Sequence, residues 1–173
     1  MLLKGDLTKT KSSASPTKQL DGFISKFEPE VAKLTKASLK ILRQRFSTAF
    51  ELVYDNYNAL AIGWSPNGRM SEIICSLAVY PRWVSLFFMY GAKLKDPHQL
   101  LEGQGKQVRF VRLDSAERIL DPQIAELLDA ATAFGDTPLP KTGKRTLVIK
   151  SISAKQRPRR LQQSSSSKHP RKN

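Results

Sequence analysis

Residues 72–90 read EIICSLAVYPRWVSLFFMY. Two apolar runs, 72–79 and 84–90, flank Tyr80-Pro81-Arg82-Trp83, a connection short enough to turn a hairpin. Ile73, Cys75, Leu77 and Val79 alternate with Ile74 and Ala78, so both faces of the first run are apolar. That pattern predicts central strands with something covering each side. Upstream, 51–57 (ELVYDNY) and 59–64 (ALAIGW) also read as extended. Ser65-Pro66-Asn67-Gly68 follows them as a turn, because Pro presets one central dihedral and Asn or Gly tolerates a positive one. Downstream, 107–113 (QVRFVRL) is a further strand, and 146–152 (TLVIKSI) is a possible last strand on a sheet edge.

Helical periods lie on either side. Asp21 is read as the cap of a short helix carrying Phe23, Ile24 and Phe27. Pro29 and Glu30 open a longer helix reaching about Thr48, with Val31, Leu34, Ile41, Leu42 and Phe46 near one face. Asp96-Pro97-His98-Gln99 reads as a short helix start stopped by Gly103. Asp114 with Glu117 is another capping signature, and Asp121-Pro122 opens a helix closed by Gly135. Consecutive strands joined by tight turns, with helices before and after, predict an α+β fold. Its sheet is antiparallel, of five to six strands, with N-terminal and C-terminal helices packed on it.

The chain has 173 residues and a formal net charge of +14, unevenly spread. Residues 1–20 carry +3, residues 21–135 only +1, and residues 136–173 carry +10. The organisation expected from this is a disordered tail over 1–18, an α+β domain over 19–135, a linker and possible edge strand over 136–153, and a basic disordered tail over 154–173. A single cysteine excludes an internal disulfide. With two histidines it cannot complete a four-ligand zinc site without carboxylates or a second chain. No cofactor motif is present. The start lacks an apolar signal core and no stretch nears 18 uninterrupted apolar residues, so a cytoplasmic protein that does not span a membrane is expected.

Several residues carry possible chemistry. Trp64 and Trp83 sit at strand ends beside turns, where an indole can line a cleft. Gly103-Gln104-Gly105-Lys106 offers backbone N–H groups and a cation to an anion, or simply a stop before a strand; its spacing is not that of a phosphate loop. His98 is suited to acid–base work but has no partner at a diagnostic spacing. Arg109 and Arg112 fall on opposite strand faces. The ligand-binding site expected from this gathers Trp64, Trp83, Lys93, His98, Lys106 and Arg109. Lys33, Lys36, Lys40 and Arg43 share one helix face, which suits an anionic partner or a solvated surface. Cys75 lies in an apolar strand and is expected to be inert. Lys155, Arg157, Arg159 and Arg160, with Lys168, Arg171 and Lys172, form a basic arm able to neutralise phosphates. The arm lacks interleaved aromatics, so base stacking is not implied by its sequence.

The run VSLFFMYGAKLKDPHQLLEGQGKQVRFVRL (84–113), followed by DPQIAELLDAA (121–131), resembles the YdhG-like family, a domain of unknown function. The resemblance covers about 20–135 and rests on Gly91, Leu94, Asp96, Pro97, Leu101, Gly103, Gly105, Lys106 and Arg109. It implies an α+β fold with an antiparallel sheet and terminal helices. Many members carry a histidine before the valine of the second hairpin strand, where this chain has Trp83. One member of the wider family is described as a frataxin-like iron chaperone. That role implies an acidic ridge, whereas the corresponding helix here offers Glu30 and then Lys33, Lys36, Lys40 and Arg43. Iron prefers carboxylates to a cationic stripe. The function expected is therefore a non-enzymatic module binding a small ligand or a protein. The alternative is non-specific nucleic-acid association through the basic C-terminal arm. Nothing in the sequence resembles a Ser/His/Asp, Cys/His or paired-carboxylate site.

Overall fold

The computed structural model describes residues 14–161. Helices α1 (Pro16–Ser25) and α2 (Pro29–Arg45) precede strands β1 (Phe50–Asp55), β2 (Leu60–Ser65), β3 (Cys75–Val79), β4 (Val84–Phe88) and β5 (Arg109–Leu113). Helix α3 (Pro122–Phe134) and strand β6 (Thr146–Ile152) follow. The strands form one sheet in the order β5-β4-β3-β2-β1-β6, so the α+β expectation holds. The first five strands are an antiparallel meander. β6 departs from the expected pattern: it pairs with β1 in parallel. The route explains this. β5 ends where β1 ends, α3 returns the chain to the opposite side, and β6 starts beside Phe50, the start of β1.

Register fixes which residues meet. Val53 faces Ile62, Glu51 faces Trp64 and Asp55 faces Leu60, so these six share one sheet face. Leu20, Ile24, Leu39, Leu42, Leu127 and Leu128 from the three helices join Ile62, Leu77 and Leu86 in a single core on that face. Pro at the first turn starts α1, α2 and α3 alike, where its missing N–H costs nothing. The middle of the opposite face carries small residues, Ala61, Gly63, Ser76, Ala78 and Ser85, between Leu52 and Tyr54 on one side and Phe87 and Phe110 on the other. The second covering layer expected from the sequence is replaced there by local shielding. A Cβ at Gly63 would stand 3.0 Å from the Ile73 side chain, which lies over it.

Four local expectations change. α1 begins at Pro16 under a Ser15 cap, so residues 16–18 are helical and Asp21 is mid-helix rather than a cap. Residues 1–13 of the expected N-terminal tail lie outside the described residues. No helix forms at Asp96. Its carboxylate accepts from the N–H groups of Leu100 (3.0 Å) and Leu101 (2.7 Å), turning the loop before a helix can propagate. Segment 136–145 is not a free linker: Leu139 packs on the core and Arg145 reaches Glu51.

The largest difference is the C-terminal segment. Residues 154–161, expected to be disordered, lie against the domain, while 162–173, with Lys168, Arg171 and Lys172, fall outside the described residues. The cause is Asp55, which is buried at the end of β1. Its carboxylate accepts from Arg159 at 2.8 Å and pairs with Lys26 at 3.4 Å. Its backbone carbonyl accepts from Ser153 N–H (2.9 Å) and Gln156 Nε2 (3.3 Å). Arg157 N–H donates to Tyr57 O at 2.9 Å. Arg160 donates to the carbonyls of Phe27 (3.1 Å) and Ser25 (3.2 Å), capping the C-terminal end of α1 with a cation.

Candidate functional site: a groove between two hairpin turns and the C-terminal segment

In an up-and-down meander, the first and third turns lie at one end and the second at the other. The β1–β2 turn (56–59) and β3–β4 turn (80–83) therefore share an end with Asp55, while Trp64 sits at the opposite end beside Cys75. This separates the residues expected to form one site. Trp64 is fully buried and stacks on Phe46 at 5.9 Å, as core rather than cleft. Its Nε1 has no hydrogen-bond partner among the described residues. Arg109 pairs with Phe88, one length of β4 away from Trp83, or about 17 Å at the usual strand rise.

The 91–109 segment is held by its own contacts. Gly91 lies against the Arg109 backbone, and a Cβ there would stand 2.9 Å from Arg109 N. That close approach is the reason for glycine at this motif position. The Arg109 guanidinium donates to the carbonyls of Gly105 and Val108. Lys93 places its ammonium over the Phe134 ring at 5.8 Å, and Lys106 is exposed. His98 stands 3.6 Å from Glu126, both exposed. Trp64, Lys93, His98, Lys106 and Arg109 thus do not converge with Trp83. Burial pushes the Cys75 thiol far up, which keeps it protonated and unreactive.

Trp83 does line a site. A groove of 690 Å³ runs between the β3–β4 turn and the C-terminal segment. Tyr80, Pro81, Trp83, Pro158 and Leu161 give it an apolar surface, and Arg82, Arg157 and Arg160 give it cations. Asn58 completes the lining, so no carboxylate faces it. Tyr80 stacks on Trp83 at 5.1 Å, and the Arg112 guanidinium lies over the indole at 4.7 Å. Burial raises the pKa of the Tyr80 hydroxyl, which keeps it neutral. Arg157 and Arg160 come from the expected basic arm, but Arg159 does not join them. Its guanidinium is spent on Asp55 and on the face of Phe27 at 5.4 Å, which removes it from any phosphate. Lys155 is exposed and outside the groove lining.

A second groove, also of 690 Å³, lies between α2 and the loop before β6. Lys36, Lys40 and Lys144 line it together with Arg43 and Arg145. The two arginines share one buried carboxylate beneath it, Glu51, which accepts from Arg43 at 2.7 and 3.0 Å and from Arg145 at 3.0 Å and so offsets one of their two charges. Among the described residues, no three His, Cys, Asp or Glu side chains gather as metal ligands, and no helix is long and apolar enough to cross a membrane.

In the sequence Arg82 reads only as a turn residue, and nothing there places it in a site. Turn parity was the available signal: residues of turns one and three must share an end, and Trp64 must lie at the other. Compared with family models, with curated proteins and with solved structures, the chain finds no match.

Proposed function

We propose that this protein is a non-enzymatic, cytoplasmic binding module of the YdhG-like kind, and that its ligand is an anion with an apolar or aromatic portion. The observation that carries this is the Trp83 groove, where three guanidinium groups and no carboxylate surround an aromatic floor. Guanidinium groups match phosphate and carboxylate in planar, bidentate fashion, and aromatic rings bind the uncharged remainder by stacking. The lining contains no Ser, Cys, His or carboxylate to serve as nucleophile or base, which supports binding over catalysis. Parts of both expectations meet here: Trp83 from the expected ligand site, and Arg157 and Arg160 from the expected basic arm.

The test uses a Trp64→Phe background, so that indole emission reports Trp83 alone. Titration with ATP and with inorganic polyphosphate is expected to change that emission saturably. Arg82→Ala with Arg157→Ala is expected to weaken both titrations at least about tenfold, the scale of losing charge-assisted hydrogen bonds. An emission unchanged by either titrant up to millimolar concentration would contradict the proposal.

A further inference from the structure

We infer that the anion is the backbone of a single-stranded nucleic acid, with its unpaired bases stacked on Tyr57 and Trp83; this rests on the groove reading above. The C-terminal segment, read alone, lacks aromatics between its arginines, but the fold supplies them. Tyr57, at the β1–β2 turn, is half exposed, and the Arg157 guanidinium stands 6.0 Å from its ring centre. Tyr80 and Trp83 occupy the neighbouring turn at the same end of the sheet. Arg157 and Arg160 run between the two turns, and Arg82 flanks them. Aromatic and cationic groups therefore stand together at this end of the sheet, with Tyr57 just outside the groove lining, and such a grouping suits a phosphate backbone with unpaired bases. Tyr80 and Arg112 already lie against the Trp83 ring, so a base stacking there takes the place of one of them, whereas half-exposed Tyr57 is the more open ring.

The surface beyond the groove is of mixed charge: next to it, Lys33, Arg82 and Arg112 are balanced by Glu30, Asp114 and Glu117. Trp83 and Arg82 also border a 580 Å³ depression whose far wall is α2 at Lys33 and Leu34. Lys33, Lys36 and Lys40 then step along the helix to the second groove at Lys144. Phosphate partners are therefore concentrated in the two cationic grooves, with the carboxylates of Glu30, Asp114 and Glu117 between them. A duplex would not use Tyr57 or Trp83, because its bases are already stacked and paired.

The experiment is fluorescence anisotropy of the full chain with labelled oligo-dT and oligo-U, a duplex of equal length, and polyphosphate as competitor. At least one single strand is expected to bind, with affinity falling as salt rises; preference for oligo-U over oligo-dT would identify RNA, and the reverse DNA. The duplex should bind at least about tenfold more weakly, and Tyr57→Ala should weaken single-strand binding about fivefold or more, the scale of one lost base stack. Tyr57→Phe should restore it, and neither substitution should alter competition by polyphosphate. Equal binding of single strand and duplex, with Tyr57→Ala silent, would overturn this inference and leave the anion groove standing. Failure of polyphosphate, ATP and every oligonucleotide to bind would remove the groove reading as well.

Discussion

The two ends of β1 carry the same device to different ends. At its start, buried Glu51 holds Arg43 of α2 and Arg145 of the chain entering β6. At its finish, buried Asp55 holds Lys26 after α1 and Arg159 of the chain leaving β6. Each carboxylate lies on the helix-covered face, and each ties the last strand to a helix. The difference is in the guanidinium groups. Arg43 and Arg145 keep 29% of their side-chain surface, whereas Arg159 keeps 3%. The first end is a clamp that water can reach. The second is a buried pair, and the segment it anchors forms a wall of the groove at Trp83. Charge counting concealed this, because the near-neutral total of 21–135 includes two acids that each also pair with a cation of 136–173.

Breaking the buried end should have the larger effect. Asp55→Ala leaves Arg159 charged in the interior without its counterion, held only by the carbonyls of Asn56 and Tyr57, and should cost about 3–5 kcal/mol in urea unfolding. Replacing both partners by apolar residues, as in Asp55→Leu with Arg159→Met, should recover much of that loss, since removing a pair outright avoids the orphaned charge. Glu51→Ala should cost less, about 2 kcal/mol, because Arg43 and Arg145 can turn to solvent. The comparison between the two ends fails if Glu51→Ala proves the more damaging.

Smaller effects sharpen the contrast between core and groove. Trp64→Phe should cost less than about 1.5 kcal/mol, since it keeps the stack on Phe46 and deletes an N–H with no partner. Arg157→Ala should change stability by no more than about 0.5 kcal/mol while weakening anion binding, because its exposed guanidinium holds no buried acid. Native Cys75 should resist alkylation by iodoacetamide and react only as the protein unfolds, which mass spectrometry would show.

The meander was legible in the sequence because each strand carries its own alternation and each turn its own Pro, Gly or Asn. α2, α3 and the edge position of β6 were legible for similar local reasons. What escaped was non-local. The parallel pairing of β6 depends on where α3 delivers the chain. The docking of 154–161 depends on one aspartate about 100 residues earlier, which composition cannot see. Asp96-Pro97-His98-Gln99 has the pattern of a helix cap, and the Asp96 side chain does accept backbone N–H groups, but those groups belong to a turn. Trp64 and Trp83 looked equivalent as strand-end indoles, and only the alternation of turns tells them apart.

The central claim is that the cationic segment after β6 belongs to the folded unit and completes the groove. Amide hydrogen exchange across 153–159 tests it most directly. Ser153 N–H, bonded to Asp55 O, and Arg157 N–H, bonded to Tyr57 O, should both be protected far beyond free-chain rates, and Asp55→Ala should abolish protection at Arg157. Exchange of Arg157 at the rate of an unstructured peptide in the wild-type protein would contradict the account.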